Sequence, residues 1–393
     1  METGEQMIEV EALWELIDEM VVPSEACDVP VTDALGTITA ADVVGPVDMP
    51  PFDHSAMDGY ALADSGLEPC TIVHEVAAGN VDAGVIHRGQ AVRIFTGVPL
   101  PQGTHCVVRQ EDCLVDGNVV RLGEDAEVSN GTHLRRRGEL LKKGAVVLPS
   151  GTDITAGAIA LLTSCGITKV PALSQPVACH ISTGSELVEA GGVLGAGQIY
   201  DSNGPMMQAL LDARCTRLVR QRVPDVASEL HSAVAGFTGD LLLISGGSGP
   251  GDHDHTGRAL RDAGYTIHAS RINSRPGRPL IFATRGHQVA FGLPGNPLSH
   301  WVCFHAFVTR ALARFEGRDI PALVNAHLTE QLPSGGDGRR TWTPARRQYR
   351  DGMLYVVPLG WQHSGDLTPL ASADALLMNR QDPATHLFPT FIL

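Results

Sequence analysis

The chain has 393 residues, too many for one ordinary hydrophobic core, so roughly two to four domains are expected. With 43% hydrophobic and 19% charged residues the balance is globular, and 43 glycines, 25 prolines and 5% aromatics point to short strands and turns over aliphatic cores rather than to a helical bundle. A net charge of −15 argues against nucleic acid as the main partner but leaves room for a small anion held by local arginines.

In chain order, the first eleven residues carry four glutamates and no basic residue, unlike a secretory leader. Val10, Leu13, Trp14 and Ile17 recur at helical spacing and predict an amphipathic helix over about 6–20, ended by Pro23. Residues 27–46 read as extended. From 47 to 145 short β runs alternate with turns: Thr71-Ile72-Val73, Ala91-Val92-Arg93-Ile94-Phe95, Cys106-Val107-Val108 and Asn118-Val119-Val120, punctuated by Pro99, Pro101, Gly103 and Gly117. A short helix over 156–162 leads into a different grammar. The runs 177–184, 240–245 and 289–293 read as buried strands, each followed by a Gly-rich turn, with helices between them. That alternation indicates a parallel α/β sheet, whose ligands sit beyond the carboxyl ends of the strands. The tail from about 320 returns to β patterning with turns at Gly335-Gly336 and Asp351-Gly352.

The expected fold is therefore multidomain α/β plus β. It has a central parallel α/β domain over 177–320, an all-β module over 47–145 and a small β-barrel-like domain over 321–393. A discontinuous helical and linker domain is formed by 1–46 and 146–176. The longest apolar runs, such as Leu241-Leu242-Leu243-Ile244, fall far short of the roughly 20 residues a membrane helix needs. Eight cysteines include no C-x-x-C pair, which removes the zinc-ribbon and thioredoxin-like readings and suggests reduced thiols in a soluble cytoplasmic protein.

Four constellations carry chemistry. Pro50-Pro51-Phe52-Asp53-His54-Ser55-Ala56-Met57-Asp58-Gly59-Tyr60-Ala61 mixes carboxylates, breakers and large apolar side chains, as in a loop packed against another surface that presents Asp58. The turn Gly246-Gly247-Ser248-Gly249-Pro250-Gly251 follows a strand and precedes a helix, which suits an anion cradle, and it lacks the Lys-Ser/Thr ending of a Walker loop. A second turn, Gly292-Leu293-Pro294-Gly295-Asn296-Pro297, places Asn296 as an N-cap and Pro297 as the first helical residue. Arg271, Arg275 and Arg278 surround a Pro-Gly turn and are spaced to converge on a phosphate or an oxyanion, although a solvated arginine run reads the same way. Glu186, Asp201, Asp252 and Asp254 add carboxylates near the turns, a setting for Mg²⁺; the Asp252-His253-Asp254-His255 run leaves a transition metal as the alternative. Asp225 reads equally as a helix cap or a site residue.

Taken together these segments resemble the molybdopterin molybdenumtransferase family, MoeA and the gephyrin E domain, over nearly the whole chain. The matching blocks are the Asp58 loop, Ile94 to Pro101, Arg135-Arg136-Arg137-Gly138-Glu139, Ser182 to Leu187, Gln198 to Asn203, Ser245-Gly246-Gly247, Arg275-Pro276-Gly277-Arg278-Pro279 and Gly292 to Pro297. The resemblance implies an elongated homodimer of four domains per chain. Its site would be shared between the α/β domain of one chain and the β module of the other, inserting molybdenum from molybdate into adenylylated molybdopterin with release of AMP and Mg²⁺ present. It places Asp58, Thr96, Glu186, Asp225 and Asp254 in catalysis. Gly246, Gly247, Ser248, Arg271, Arg275, Arg278, Pro294, Asn296 and Pro297 would bind anionic substrate, with Asp201 and Asp252 as metal ligands. It also implies contact with a molybdopterin adenylyltransferase and no nucleic-acid or membrane partner. The chain departs from the family at Leu140, Ser185 and Ser248 to Gly251, where Pro250 removes a backbone donor. A non-catalytic molybdopterin-binding paralogue and an adenylyltransferase-like enzyme are the alternatives.

Overall fold

The computed structural model describes residues 7–65, 69–77, 79, 83–212, 214–215, 217–247, 255–330, 332 and 338–393. Among them the chain forms two units: Asp28–Ala172, and Met1–Cys27 together with Leu173–Leu393. The chain passes from one to the other along the paired strands Ala26–Pro30 and Lys169–Leu173.

The Asp28–Ala172 unit holds a six-stranded sheet in the order Cys106–Arg109, Gly59–Leu62, Gln90–Ile94, Cys70–Val76, Val119–Leu122, Cys113–Asp116. Because strand side chains alternate, Ala61, Val92 and Val107 form one core while Tyr60, Leu62, Ala91 and Val108 form another. Gly59 is required where two strands close in: a Cβ there would overlap the Val108 carbonyl. A third core gathers Val31, Val43, Val147, Ile154 and Leu162 around the helix Ala156–Ser164, whose first turn is capped by Thr155 Oγ1 accepting from Ala158 N at 3.2 Å.

The other unit begins with α1 (Val10–Met20), where Val10, Leu13 and Ile17 are buried at the predicted spacing. Its α/β part comprises β1 (Val177–Thr183), α2 (Asn203–Leu211), β2 (Arg217–Val223), α3 (Ala227–Ala235), β3 (Leu241–Ser245), α4 (His255–Asp262), β4 (Thr266–Ala269), β5 (Ile281–Arg285), β6 (Gln288–Leu293), α5 (Pro297–Cys303) and α6 (Thr309–Glu316). The sheet order is β2-β1-β3-β6-β5-β4. β2, β1, β3 and β6 are parallel, as the alternating pattern predicts, and β5 and β4 extend the sheet antiparallel. The extension arises because the two-residue link Gly286-His287 makes β5 and β6 a hairpin, with Gly286 at φ +61°. Helices cover both faces, so β3 and β6 are buried throughout and apolar except for Ser245 and Gln288 at their ends. Residues from α1, α2, α5 and α6 pack with Leu241, Leu243 and Phe291 on one face; Leu230, Val234 and Leu260 pack with Ile181, Leu242 and Ile244 on the other.

The tail is a closed five-strand barrel: β8 (Arg340–Arg350), β9 (Met353–Pro358), β7 (Val324–Leu328), β11 (Phe388–Ile392) and β10 (Ala375–Met378), with β10 returning to β8. Trp14 of α1 joins it to the α/β part. Its indole N–H donates to Ala306 O at 2.8 Å, and its ring stands edge-on to Trp342 and Phe391. No helix among the described residues is long and apolar enough to cross a membrane.

Candidate active site

Within the Asp28–Ala172 unit the Asp58 loop is stitched to the segment that follows Gln90–Ile94. Gly97 N donates to Ser55 O at 2.8 Å, Leu100 N to Asp53 O at 3.1 Å, and the fully buried Ser55 hydroxyl closes the loop on Met57 O. This brings together two predicted site residues. Asp58 Oδ1 accepts from both the backbone N–H and the hydroxyl of Thr96 at 2.7 Å, and Oδ2 takes no bond among the described residues. The Thr96 N–H first, and its hydroxyl second, hold the exposed Asp58 carboxyl below the ordinary carboxylate range. The neighbouring arginine block is already matched by acids: Asp53 accepts from Arg136 Nη1 and Arg137 N, and Asp48 from Arg137 Nε and Lys143 N. Leu140 is exposed to solvent.

In the α/β part a cavity of about 380 Å³ opens beyond the carboxyl ends of β1 and β3, where the turn pattern places a ligand. Glu186, Asp201, Asp225, Gly246, Gly247, Asn296 and Pro297 all line it. Gly246 and Gly247 have φ of +92° and +60°, and a Cβ on Gly246 would stand 2.8 Å from Thr183 O, so the turn needs glycine. Thr256 fastens this turn to the first residues of α4: its hydroxyl donates to Gly246 O at 2.8 Å and its N–H to Gly247 O at 3.1 Å. Sequence reasoning missed Thr256, which follows the glycines by nine positions and carries no motif of its own.

The carboxylates in the cavity divide into two kinds. Asp201 is buried and engaged: Oδ2 accepts from Ser182 Oγ at 3.1 Å, Oδ1 from Gly204 N at 2.9 Å, and Arg220 stands 4.0 Å away. Glu186 and Asp225 are exposed, and their carboxylates have no partner among the described residues. Asp225 does not cap α3; Val226 takes that position without a side-chain bond. Instead Asp225 N donates to Ser185 Oγ at 3.3 Å, so the serine at this departure from the family pattern anchors the Asp225 backbone.

Asn296 takes the N-cap position of α5 with Pro297 behind it, but its side chain does not cap. Pro297 offers no N–H, and Asn296 Nδ2 donates to Ser364 Oγ of the tail at 2.7 Å. Pro294 is buried below the turn and Asn203 Nδ2 donates to Gly295 O at 2.8 Å. The three arginines do not converge in this cavity. Ser274–Arg275 pairs with β8, and Arg275 lines a separate cavity of about 960 Å³ with Arg339, Trp361 and Phe388, its guanidinium 5.8 Å from the Trp361 ring centre. Arg271 and Arg278 line neither cavity. Ser248, Asp252 and Asp254 lie outside the described residues.

Comparison with known proteins follows this architecture. Residues 8–166 match the MoeA N-terminal region (domain I and II), 179–314 the probable molybdopterin binding domain and 325–384 the MoeA C-terminal region (domain IV). A molybdopterin molybdenumtransferase of Haemophilus influenzae is 33% identical over 78% of this chain and 77% of its own length. Molybdopterin molybdenumtransferase 2 of Mycobacterium tuberculosis is 31% identical over 92% and 93%. The crystal structure of the molybdopterin biosynthesis moeA protein of Pyrococcus horikoshii OT3 superposes with a TM-score of 0.77 at 27% identity, covering 98% of each chain. From its first helix to its barrel, the chain belongs to the MoeA family of molybdopterin molybdenumtransferases.

Proposed function

We propose that this chain inserts molybdenum from molybdate into adenylylated molybdopterin, releasing AMP, and that it works in the cytoplasm as a homodimer with Mg²⁺. The observation that supports this most is the meeting, in one cavity, of a glycine turn with the unpartnered carboxylates of Glu186 and Asp225. Cleaving a phosphoanhydride beside a second anion calls for charge neutralisation more than for a covalent nucleophile.

The residues present fit a hard cation. Glu186 and Asp225 offer free carboxylate oxygens beside the turn that would receive phosphate, the few-carboxylates-plus-phosphate setting Mg²⁺ prefers. Asp201 is the poorer ligand, since each oxygen already holds a hydrogen bond and Arg220 is near, so we assign it to fixing the turn before α2. When bound, Mg²⁺ supplies charge neutralisation at the phosphate oxygens. The Gly246–Gly247 and Asn296–Pro297 turns bind and orient the phosphates, and Ser185 holds Asp225 in place. Asp58 and Thr96 reach the cavity from the second chain of the dimer. There Thr96 locks Oδ1 and leaves Asp58 Oδ2, as carboxylate, to accept from and orient water.

The test is complementation in trans. Asp58→Ala and Asp225→Ala proteins are each expected to be inactive in Mg²⁺- and molybdate-dependent AMP release. After subunit exchange half of the dimers are mixed, and each mixed dimer has one intact site, so about a quarter of wild-type activity returns. No recovery, with exchange demonstrated, would remove the shared site. Wild-type protein that binds adenylylated molybdopterin without releasing AMP would make the chain a binding paralogue.

A further inference from the structure

Beneath the Gly246–Gly247 turn lies a polar island that the chemistry above does not use. His180 in β1, Ser245 at the end of β3 and His300 in α5 are 1%, 3% and 0% exposed. His180 and Ser245 share a sheet face, because Ser182 stands opposite Ser245 in the parallel register and side chains alternate with period two. α5 brings His300 over the same face, its ring centre 5.7 Å from that of His180. His180 Nε2 is 2.5 Å from Ser245 Oγ, His300 Nε2 is 3.4 Å from it, and His300 Nδ1 is 3.1 Å from Pro294 O.

The direction of every bond follows from what each group can do. Burial keeps both imidazoles neutral, so each ring has one N–H and one lone pair. Among the described residues the groups acting electrostatically on them are His300 and Arg220 of β2, on His180, and Asp201 ahead of α2, on His300. A carbonyl only accepts, so His300 carries its proton on Nδ1 and its Nε2 is a lone pair. The Ser245 hydroxyl donates to that lone pair and accepts from His180 Nε2–H. His180 Nδ1, which has no partner among the described residues, is then the bare nitrogen, the cheaper state for an unpaired buried atom. The result is a one-way chain: His180 Nε2–H to Ser245 Oγ–H to His300 Nε2, and His300 Nδ1–H to Pro294 C=O.

Its two ends are informative. Ser245 is the residue before the Gly246–Gly247 turn and Pro294 the residue before Gly295-Asn296. The last ladder bond between these strands is Gly246 N to Leu293 O, and past it the two turns run side by side. We propose that His180 and His300 are positioning residues: through Ser245 and Pro294 they hold the two turns at the spacing that receives an anionic ligand. This rests on the reading of the cavity as the phosphate site.

The experiment uses the full-length protein, AMP as the probe and two readouts. Imidazole ¹⁵N NMR reports the tautomers without any ligand: His180 is expected protonated at Nε2 and His300 at Nδ1, both neutral at pH 7. Calorimetry then compares AMP affinity. Ser245→Ala and His300→Leu, both folded by circular dichroism, are expected to bind about tenfold more weakly, since each leaves a buried partner unpaired. His300→Gln is expected within about threefold of wild type, because its amide N–H₂ donates to Pro294 O while its carbonyl accepts from Ser245. The opposite tautomers, a charged imidazole, or folded Ser245→Ala with wild-type affinity would overturn the proposal. Wild-type protein that shows the expected tautomers yet fails to bind AMP would instead overturn the phosphate-site reading and leave the chain of bonds standing.

Discussion

Gly246→Ala separates backbone strain from collision at the cavity. Gly246 has φ +92°, and the new Cβ would lie 2.8 Å from the Thr183 carbonyl oxygen and 3.3 Å from Thr183 Cγ2. Gly286 is the internal reference, with φ +61° and no atom within 4 Å of its Cβ position. An alanine there pays conformational strain alone, about 1 kcal/mol. At Gly246, whose φ lies beyond the left-handed well, a larger strain is joined by a contact with backbone that cannot rotate away, so the turn and the end of β1 must part, for a total of about 2–4 kcal/mol. Thr183 lines the cavity, so that movement widens both walls at once, and a shift of this kind costs ~10- to 100-fold in kcat/KM for AMP release. The chain's tryptophans are Trp14, Trp301, Trp342 and Trp361, all in the unit that contains both glycines. Urea unfolding followed by tryptophan fluorescence therefore reads that unit. Equal midpoints for the two alanine variants, or full AMP release by Gly246→Ala, would refute the collision argument.

Two further predictions concern the Asp28–Ala172 unit. Thr96→Val keeps the backbone N–H to Asp58 but removes the hydroxyl, so the carboxyl should move back toward its ordinary range. The depressed value favours the native form above the unfolded carboxyl's titration and the benefit fades as pH falls through the native one. Carboxyl ¹³C titration should thus show the Asp58 transition at higher pH in the variant, with the acid limb of activity moving the same way, and an unmoved transition would remove the hydroxyl's role. Leu162→Ala empties a fully buried site and should cost about 2–5 kcal/mol, measured by circular dichroism because this unit has no tryptophan. A cost below about 1 kcal/mol would mean that the helix collapses onto the gap.

The parallel strands were legible because each is a buried apolar run closed by a glycine turn, a pattern only helix-covered sheets need. β2, Arg217–Val223, was not, since its exposed arginines and glutamine hide an edge strand that keeps one flank in water. The hairpin that turns β5 antiparallel was written in Gly286-His287 but is a weak signal in a stretch already dense with glycine. Asp58 and Thr96 were found together through family resemblance, whereas Ser185 was readable only as a departure; that its hydroxyl holds Asp225 N is a fact of three dimensions. Arg271, Arg275 and Arg278 look like one cluster in sequence, and the pairing of Ser274–Arg275 with the barrel separates them. His180 and His300 sit inside hydrophobic runs far apart in the chain, and nothing local marks them as neighbours.

The place of α1 has a consequence for synthesis. It is translated ahead of every other described helix, yet Trp14 is covered by Ala306, Trp342 and Phe391. At ordinary translation rates those partners emerge roughly 15–75 s later, after the whole Asp28–Ala172 unit has been made. That unit closes around its own cores in the meantime, while the nascent chain carries Val10, Leu13, Trp14 and Ile17 without their cover. The apolar face of α1 therefore waits, uncovered, through the synthesis of a whole unit before its packing partners exist.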